Sequence, residues 1–260
     1  YEETYTTALN SGEGPDVGYM YNEMFPTYID AGAVEDMSSY VTDEDKKEYK
    51  YLSNGNMMDG QYGWPLVTGV PFVLYYNEDI LNALGEKAPE TWDDFARICQ
   101  EATKDTDGDG KVDQYGFACG MNTSDIGAMQ ILNAYYYSAL WQNGGQVYND
   151  DLKSVSFADE AGKEAVTWLK GLTSYMNEDF MSLSWSDAFS NVFGAGKAAF
   201  GITRSSQTDG TTFAETYPNL NWNFVTSLKN KEFGTFGATD CLTLMSACED
   251  KDLAMDFMDI

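Results

Sequence analysis

The sequence predicts an α/β protein, and three observations support that class. Segments with apolar residues at helical spacing alternate with short extended runs along the whole chain. The strongest extended run, residues 70–76, is nearly all apolar, as a buried strand requires. No internal repeat or low-complexity linker marks an end-to-end boundary, so two lobes, if present, must be interleaved.

Each element has a local reason. Residues 1–10 read as a helix stopped at Gly12, and residues 15–20 as a short buried strand ending in a loop. A helix at about 24–31 is stopped by Gly32. Residues 61–66 are a hairpin-like stretch. Thr91 starts a helix, because Pro89 precedes it and Thr91-x-x-Asp94 is a capping pattern. That helix lines up Trp92, Phe95, Ile98, Cys99 and Ala102 on one face. Residues 115–117 read as a strand. Further helices are expected at about 124–140, 158–172, 186–194 and 250–260. Short strands are expected near 146–148, 198–202 and 221–226. The chain opens and closes inside helices, so both ends are expected to continue in a longer chain that would carry any targeting signal.

The most specific chemical pattern is Asp105-Thr106-Asp107-Gly108-Asp109-Gly110-Lys111-Val112-Asp113. Carboxylates at alternate positions followed by a glycine turn suit a hard, oxygen-seeking cation. Asp105, Asp107, Asp109, the Lys111 carbonyl and Asp113 are the expected Ca²⁺ ligands, with water or a distant acid completing the shell. Position 12 of a calcium loop is Gly116 here, and a strand follows in place of a second helix. The pattern therefore predicts a structural calcium that staples a helix end to a strand. The alternative is a solvated acidic turn.

Composition excludes several function classes. A net charge of −27 offers no basic footprint for nucleic acid or an anionic membrane. With no histidine, Ser-His-Asp and Cys-His catalysis and imidazole zinc sites are ruled out. Cys99, Cys119, Cys241 and Cys248 have no metal-binding spacing and define no disulfide framework. No apolar run is long enough to span a membrane.

Six Trp, 18 Tyr and 14 Phe narrow the ligand class. Aromatic faces stack on the C–H faces of sugar rings while acids, amides and arginine satisfy hydroxyls. Trp92, Trp168, Phe95 and Tyr76 lie at core spacing. Trp64, Trp185, Tyr19, Tyr21 and Trp141 lie near glycine, proline or polar neighbours, where either a core or a ligand role fits.

A series of segments in order carries a resemblance. They are Gly12-Glu13-Gly14-Pro15-Asp16-Val17, Ala31-Gly32-Ala33-Val34-Glu35-Asp36-Met37 and Asp59-Gly60-Gln61-Tyr62-Gly63-Trp64-Pro65. Leu74-Tyr75-Tyr76-Asn77-Glu78-Asp79-Ile80-Leu81, Pro89-Glu90-Thr91-Trp92-Asp93-Asp94-Phe95 and residues 105–117 follow. Phe193-Gly194-Ala195-Gly196-Lys197-Ala198-Ala199-Phe200 and the closing helix with Ala254, Phe257 and Met258 complete the set. Together they resemble the extracellular solute-binding proteins of ABC importers, in the sugar-binding family that includes the maltodextrin-binding proteins.

The resemblance implies a two-lobed periplasmic-binding-protein-like fold, with carbohydrate, an oligosaccharide by family analogy, held in an interlobe cleft and delivered to a membrane permease. It implies crossings at about 68–72 and 233–240, with residues 1–68 and 241–260 in one lobe and 73–232 in the other. Gly69, Pro71, Gly234 and Gly237 sit where a hinge would absorb rotation. It also implies a monomer, extracellular and lipid-anchored outside the cytoplasmic membrane, or periplasmic. By position, the sugar-contacting loop matches Met20 and Glu23, flanked by Tyr19, Tyr21 and Asn22, with Tyr19 or Tyr21 replacing the family's aromatic at Met20. Thr68 falls at the first crossing. Where the family often has a tryptophan after residues 198–202, this chain has Thr203-Arg204-Ser205-Ser206, so Arg204 would donate hydrogen bonds or answer an acidic sugar or a phosphate. Trp64 and Trp185 complete the expected ligand set. Glu23 as a helix cap and Arg204 as a surface ion-pair partner are the alternatives.

Two other functions compete with sugar capture. Forty-two acids leave room for a carboxylate pair, so a glycosidase or lyase is one. A calcium-stapled adhesion module is the other.

Overall fold

A computed structural model describes residues 2–11, 14–123, 127–149, 154–207 and 211–259; among these, the side chains of 2–4, 10, 68–70, 127–128, 207 and 211–212 are not described. In chain order the elements begin with α1 (Glu2–Ser11), β1 (Val17–Tyr21), α2 (Phe25–Asp30), α3 (Asp45–Glu48), β2 (Asn56–Met57) and β3 (Gly60–Gln61). The long strand β4 (Trp64–Asn77) follows, then α4 (Glu78–Leu84), α5 (Trp92–Ala102) and β5 (Tyr115–Ala118). Next come α6 (Gly127–Ile131), a π-helical stretch Leu132–Tyr137 and α7 (Ser138–Gln142). They are followed by α8 (Glu160–Gly171), α9 (Trp185–Ala188) with a π-helical stretch Phe189–Gly194, and β6 (Ala198–Arg204). The chain closes with α10 (Thr211–Thr216), β7 (Trp222–Val225), β8 (Gly237–Leu244) and α11 (Lys251–Met258).

The chain divides into two compact units, Tyr1–Val70 with Gly237–Ile260, and Pro71–Phe236. It passes from one to the other inside β4 and returns at the start of β8.

In the first unit β1 and β8 run antiparallel, from Val17 opposite Leu244 to Tyr21 opposite Asp240. Alternation along these strands feeds two cores. Val17, Leu242 and Leu244 face a cluster with Met37, Leu52, Trp64 and the α11 residues Ala254, Met255 and Met258. Met20, Cys241 and Met245 face the other, with Phe25 and Tyr28 of α2.

In the second unit β4 pairs antiparallel with β6 (Phe72 opposite Arg204) and with β7 (Leu74 opposite Val225), while β5 runs parallel to β6. Phe72 and Leu74 project into a core built with α5, and Val73 and Tyr75 into a second core with Phe189 and Phe193. The α5 cap forms as the sequence predicts. Asp94 N donates to Thr91 Oγ1 (3.1 Å), and Thr91 N donates to Asp94 Oδ2 (3.1 Å). The five residues expected on its inner face are all buried.

Several expectations are corrected. Residues 146–148 form no strand; Tyr148 makes only an isolated bridge to Val155, because a turn follows α7 directly. Of the helix expected at 124–140, residues 124–126 lie outside the described residues; the described part runs from Gly127 to Gln142, with a π-helical segment inside it. The unit boundary between Phe236 and Gly237 falls inside the stretch 233–240 expected for the second crossing, and residues 237–240 are the first half of β8. Helix α4 was not anticipated, although Asn77 caps it and Gly85 closes it at φ +74°.

Candidate functional site

Three groups of polar and aromatic side chains stand out, one in the first unit and two in the second. The first forms where β1 leaves the sheet. Tyr19 and Tyr21 share a strand face with ring centroids 5.7 Å apart, nearly perpendicular. Tyr19 Oη donates to Asp240 Oδ2 at 2.5 Å, and Asp240 lies directly opposite Tyr21. Asn22 Nδ2 donates to the Asn54 carbonyl (3.3 Å), and Asn54 Nδ2 donates to Thr239 Oγ1 (2.8 Å). This set offers aromatic faces, a carboxylate and amides, the inventory that sugar hydroxyls and C–H faces require. Asp240, Asn54 and Thr239 escaped sequence reasoning, since only the pairing of β1 with a strand over two hundred residues away brings them together.

Glu23 is exposed, and the N-cap position of α2 is Met24, with no side-chain cap hydrogen bond, so the capping alternative for Glu23 is not realised. Trp64 lies elsewhere. It is 2 % exposed and packed edge-on against Tyr49 at 5.3 Å within the core of α11 and Leu52. Burying so large a ring contributes on the order of 2–3 kcal/mol, and the position has no face left for a ligand. The contact role expected for Trp64 is therefore replaced by a core role. The side chain of Thr68 lies outside the described residues.

The second group gathers on Phe72. Arg204, at the end of β6, places its guanidinium carbon 5.7 Å from the Phe72 ring centroid and donates to Gln130 Oε1 at 3.1 Å. Trp185 meets the same ring edge-on at 5.7 Å. Trp185 is fixed because Ser184 caps α9, its hydroxyl accepting from Asp187 N at 3.1 Å. The structure thus joins Arg204 and Trp185, 19 positions apart in sequence, through a residue 113 positions before Trp185. Phe236 is 6.1 Å from Phe72 and stacks parallel to Trp141 (6.1 Å, 8°). Trp141, which the sequence left between core and ligand roles, therefore belongs to this aromatic row.

The third group is the acidic loop. Its base is closed by a bridge between Lys104 and Gln114, so it connects the end of α5 to β5. Carboxylate oxygens of Asp105, Asp107 and Asp109 lie within 4.8 Å of one another. Gly108 and Gly110 adopt φ of +81° and +89°, which turns the chain sharply between the acids. Their amides donate to Asp105 at 2.6 and 2.8 Å and hold its carboxyl below the usual carboxylate range. The Thr106 hydroxyl does the same for Asp113 (2.7 Å). Asp107, Asp109 and Asp113 line one recess with Glu178 and Asp179, two acids within reach of the same space. Gly116, at the position where a calcium loop carries its last acid, is a packing residue. A Cβ there would sit 2.3 Å from the Cys99 carbonyl oxygen of α5. All the donors are hard oxygens, so the residues fit a calcium-sized cation.

With these groups in place, comparison with known proteins defines the class. Residues 1–260 match the family described as bacterial extracellular solute-binding protein. The chain belongs to that family. A binding protein of Brucella abortus (strain 2308) is 25% identical over 269 residues, covering 98% of this chain and 60% of the relative. A multiple sugar-binding protein of Streptococcus mutans is 33% identical over 104 residues, 38% of this chain and 24% of the relative. Among solved structures, an ABC transporter solute-binding protein of Thermotoga lettingae bound with α-D-tagatose superposes with a TM-score of 0.77 at 18% identity, covering all of this chain and 65% of that one. The maltose-binding protein of Listeria monocytogenes in complex with maltose gives 0.72 at 20% identity, covering 99% and 64%. These structures share the fold. The chain spans about 60–65% of the length of these first relatives.

Proposed function

We propose that this protein captures carbohydrate and hands it unchanged to the permease of an ABC importer. Family membership and sugar-bound structures of the same fold support the reading. The observation that carries it is the pairing of partly exposed aromatic rings with fixed polar groups in each unit, Tyr19 and Tyr21 with Asp240, and Trp185, through the buried Phe72, with Arg204. Each set supplies aromatic surface for a sugar's C–H face and polar partners for its hydroxyls, which suits binding. The protein acts as a monomer outside the cytoplasmic membrane, lipid-anchored or periplasmic.

The test is calorimetric titration with a panel of mono- and oligosaccharides, followed by chromatography of the recovered ligand. Saturable binding with intact sugar supports the reading. Released products, or no binding by any sugar, reject it.

We further propose that Asp105, Asp107, Asp109, the Lys111 carbonyl and Asp113 hold one Ca²⁺ that clamps α5 to β5. The ion is structural, and the sugar groups do not depend on it.

A further inference from the structure

We propose that the ligand carries an anionic group, a sugar carboxylate or phosphate, and that Arg204 recognises it. The inference rests on the carbohydrate-binding reading and narrows its substrate class.

The argument starts from charge. Acidic residues outnumber basic ones 42 to 15, and only two of the fifteen are arginines. In such a chain a guanidinium finds a carboxylate easily, and Arg97 finds three. Glu86 takes it with both oxygens, at 2.6 and 2.9 Å, and Glu101 and Asp94 stand at 3.3 and 3.9 Å. Arg204 has none. Among the described residues it forms no ion pair, and its one hydrogen bond goes to the neutral amide oxygen of Gln130.

Among the described residues, the alternative that Arg204 serves as an ordinary surface ion-pair partner is therefore not realised. Gln130 is 4 % exposed and the Phe72 ring 2 %, so the guanidinium is held between two groups that are themselves fixed. An amide partner orients the fork and leaves its charge uncancelled. A glutamate at position 130 would have oriented and neutralised it together. Arginine presents paired N–H donors in a plane that matches carboxylate or phosphate oxygens. Trp185, on the same Phe72 ring and partly exposed, supplies an indole face on which a sugar's C–H groups can rest. The overall charge of −27 opposes an anion at long range, but solution ions damp that field over about 8 Å at physiological salt, whereas a bidentate contact acts at about 3 Å.

The test compares acid and neutral forms of one ligand on the unmodified protein. Calorimetry would use digalacturonate against its dimethyl ester, and galactose 6-phosphate against galactose. The expected result is one charged member binding about 10- to 100-fold more tightly than its neutral partner, the range for a hydrogen bond to a charged group. Whether the carboxylate or the phosphate pair shows that preference identifies the source. In Arg204→Gln the preference of the charged over the neutral member should vanish. Equal binding of charged and neutral partners overturns the inference and leaves sugar capture standing. A variant that loses both members of the pair equally also overturns it. Failure of every sugar, charged or neutral, overturns sugar capture and this inference together.

Discussion

Tyr19 donates its phenolic hydrogen bond to Asp240, 221 residues further along the chain, across the β1–β8 pair. The bond fixes one acid beside two tyrosine rings at the point where the first unit's sheet ends. Asp240→Asn keeps the shape and an acceptor but removes the charge that sugar hydroxyls would use. Affinity for the bound sugar should fall at least tenfold in titration, with a melting temperature within about 2 °C of the parent. A variant that binds normally would remove Asp240 from the ligand set.

Calcium should act on stability alone. A ligand that binds only the folded state at a hundred times its Kd adds about 2.7 kcal/mol, or roughly 5–11 °C for a chain of this size. Adding Ca²⁺ to chelator-treated protein should raise the melting temperature on that scale, and Asp107→Ala with Asp109→Ala should abolish the rise. Sugar affinity should be unchanged by EDTA. A flat thermal response to Ca²⁺ would leave the loop a solvated turn.

The Thr91–Asp94 cap gives a pH-dependent prediction. Hydrogen bonds from Thr91, the hydroxyl first, hold the Asp94 carboxyl below its ordinary value. A carboxylate with a lowered folded pKa stabilises the protein above its unfolded pKa of about 3.9, and that stabilisation is lost as the pH falls through the folded value. Thr91→Ala should cost about 1 kcal/mol at pH 7. The deficit, measured by urea titration, should shrink progressively below about pH 4. A deficit that stays constant down to pH 2.5 would contradict this assignment.

All four cysteines are free and buried. Burial pushes the thiols of Cys119 and Cys241 up to about 12, far from the reactive thiolate. Native protein should release almost no chromophore with a thiol reagent at pH 8 over minutes, and four equivalents after denaturation. Rapid labelling of the native chain would show that one of these pockets opens.

Local chemistry made some features legible and left others dark. The α5 cap and its buried face could be read because the cap residue Thr91 directly precedes the eleven-residue helix that carries Asp94 and the apolar spacing. The acidic loop could be read for the same reason. Trp64 could not, because a tryptophan between Gly63 and Pro65 looks the same whether α11 covers it or not. Strand β8 was hidden by its mixed run Gly237-Ala238-Thr239-Asp240, whose polar members satisfy Tyr19 and Asn54 across the unit. Arg204 was recognisable as a candidate, but its lack of an acid partner among the described residues depends on which carboxylates the fold brings near it.

Trp92 and Trp168 lie almost parallel, with centroids 4.1 Å apart and planes 13° from coplanar. Indoles this close share their electronic excitation, so the pair should give a paired-sign circular-dichroism band that neither ring gives alone. Both belong to the second unit, so the band would act as an optical gauge of that unit's integrity, independent of whatever happens in the first.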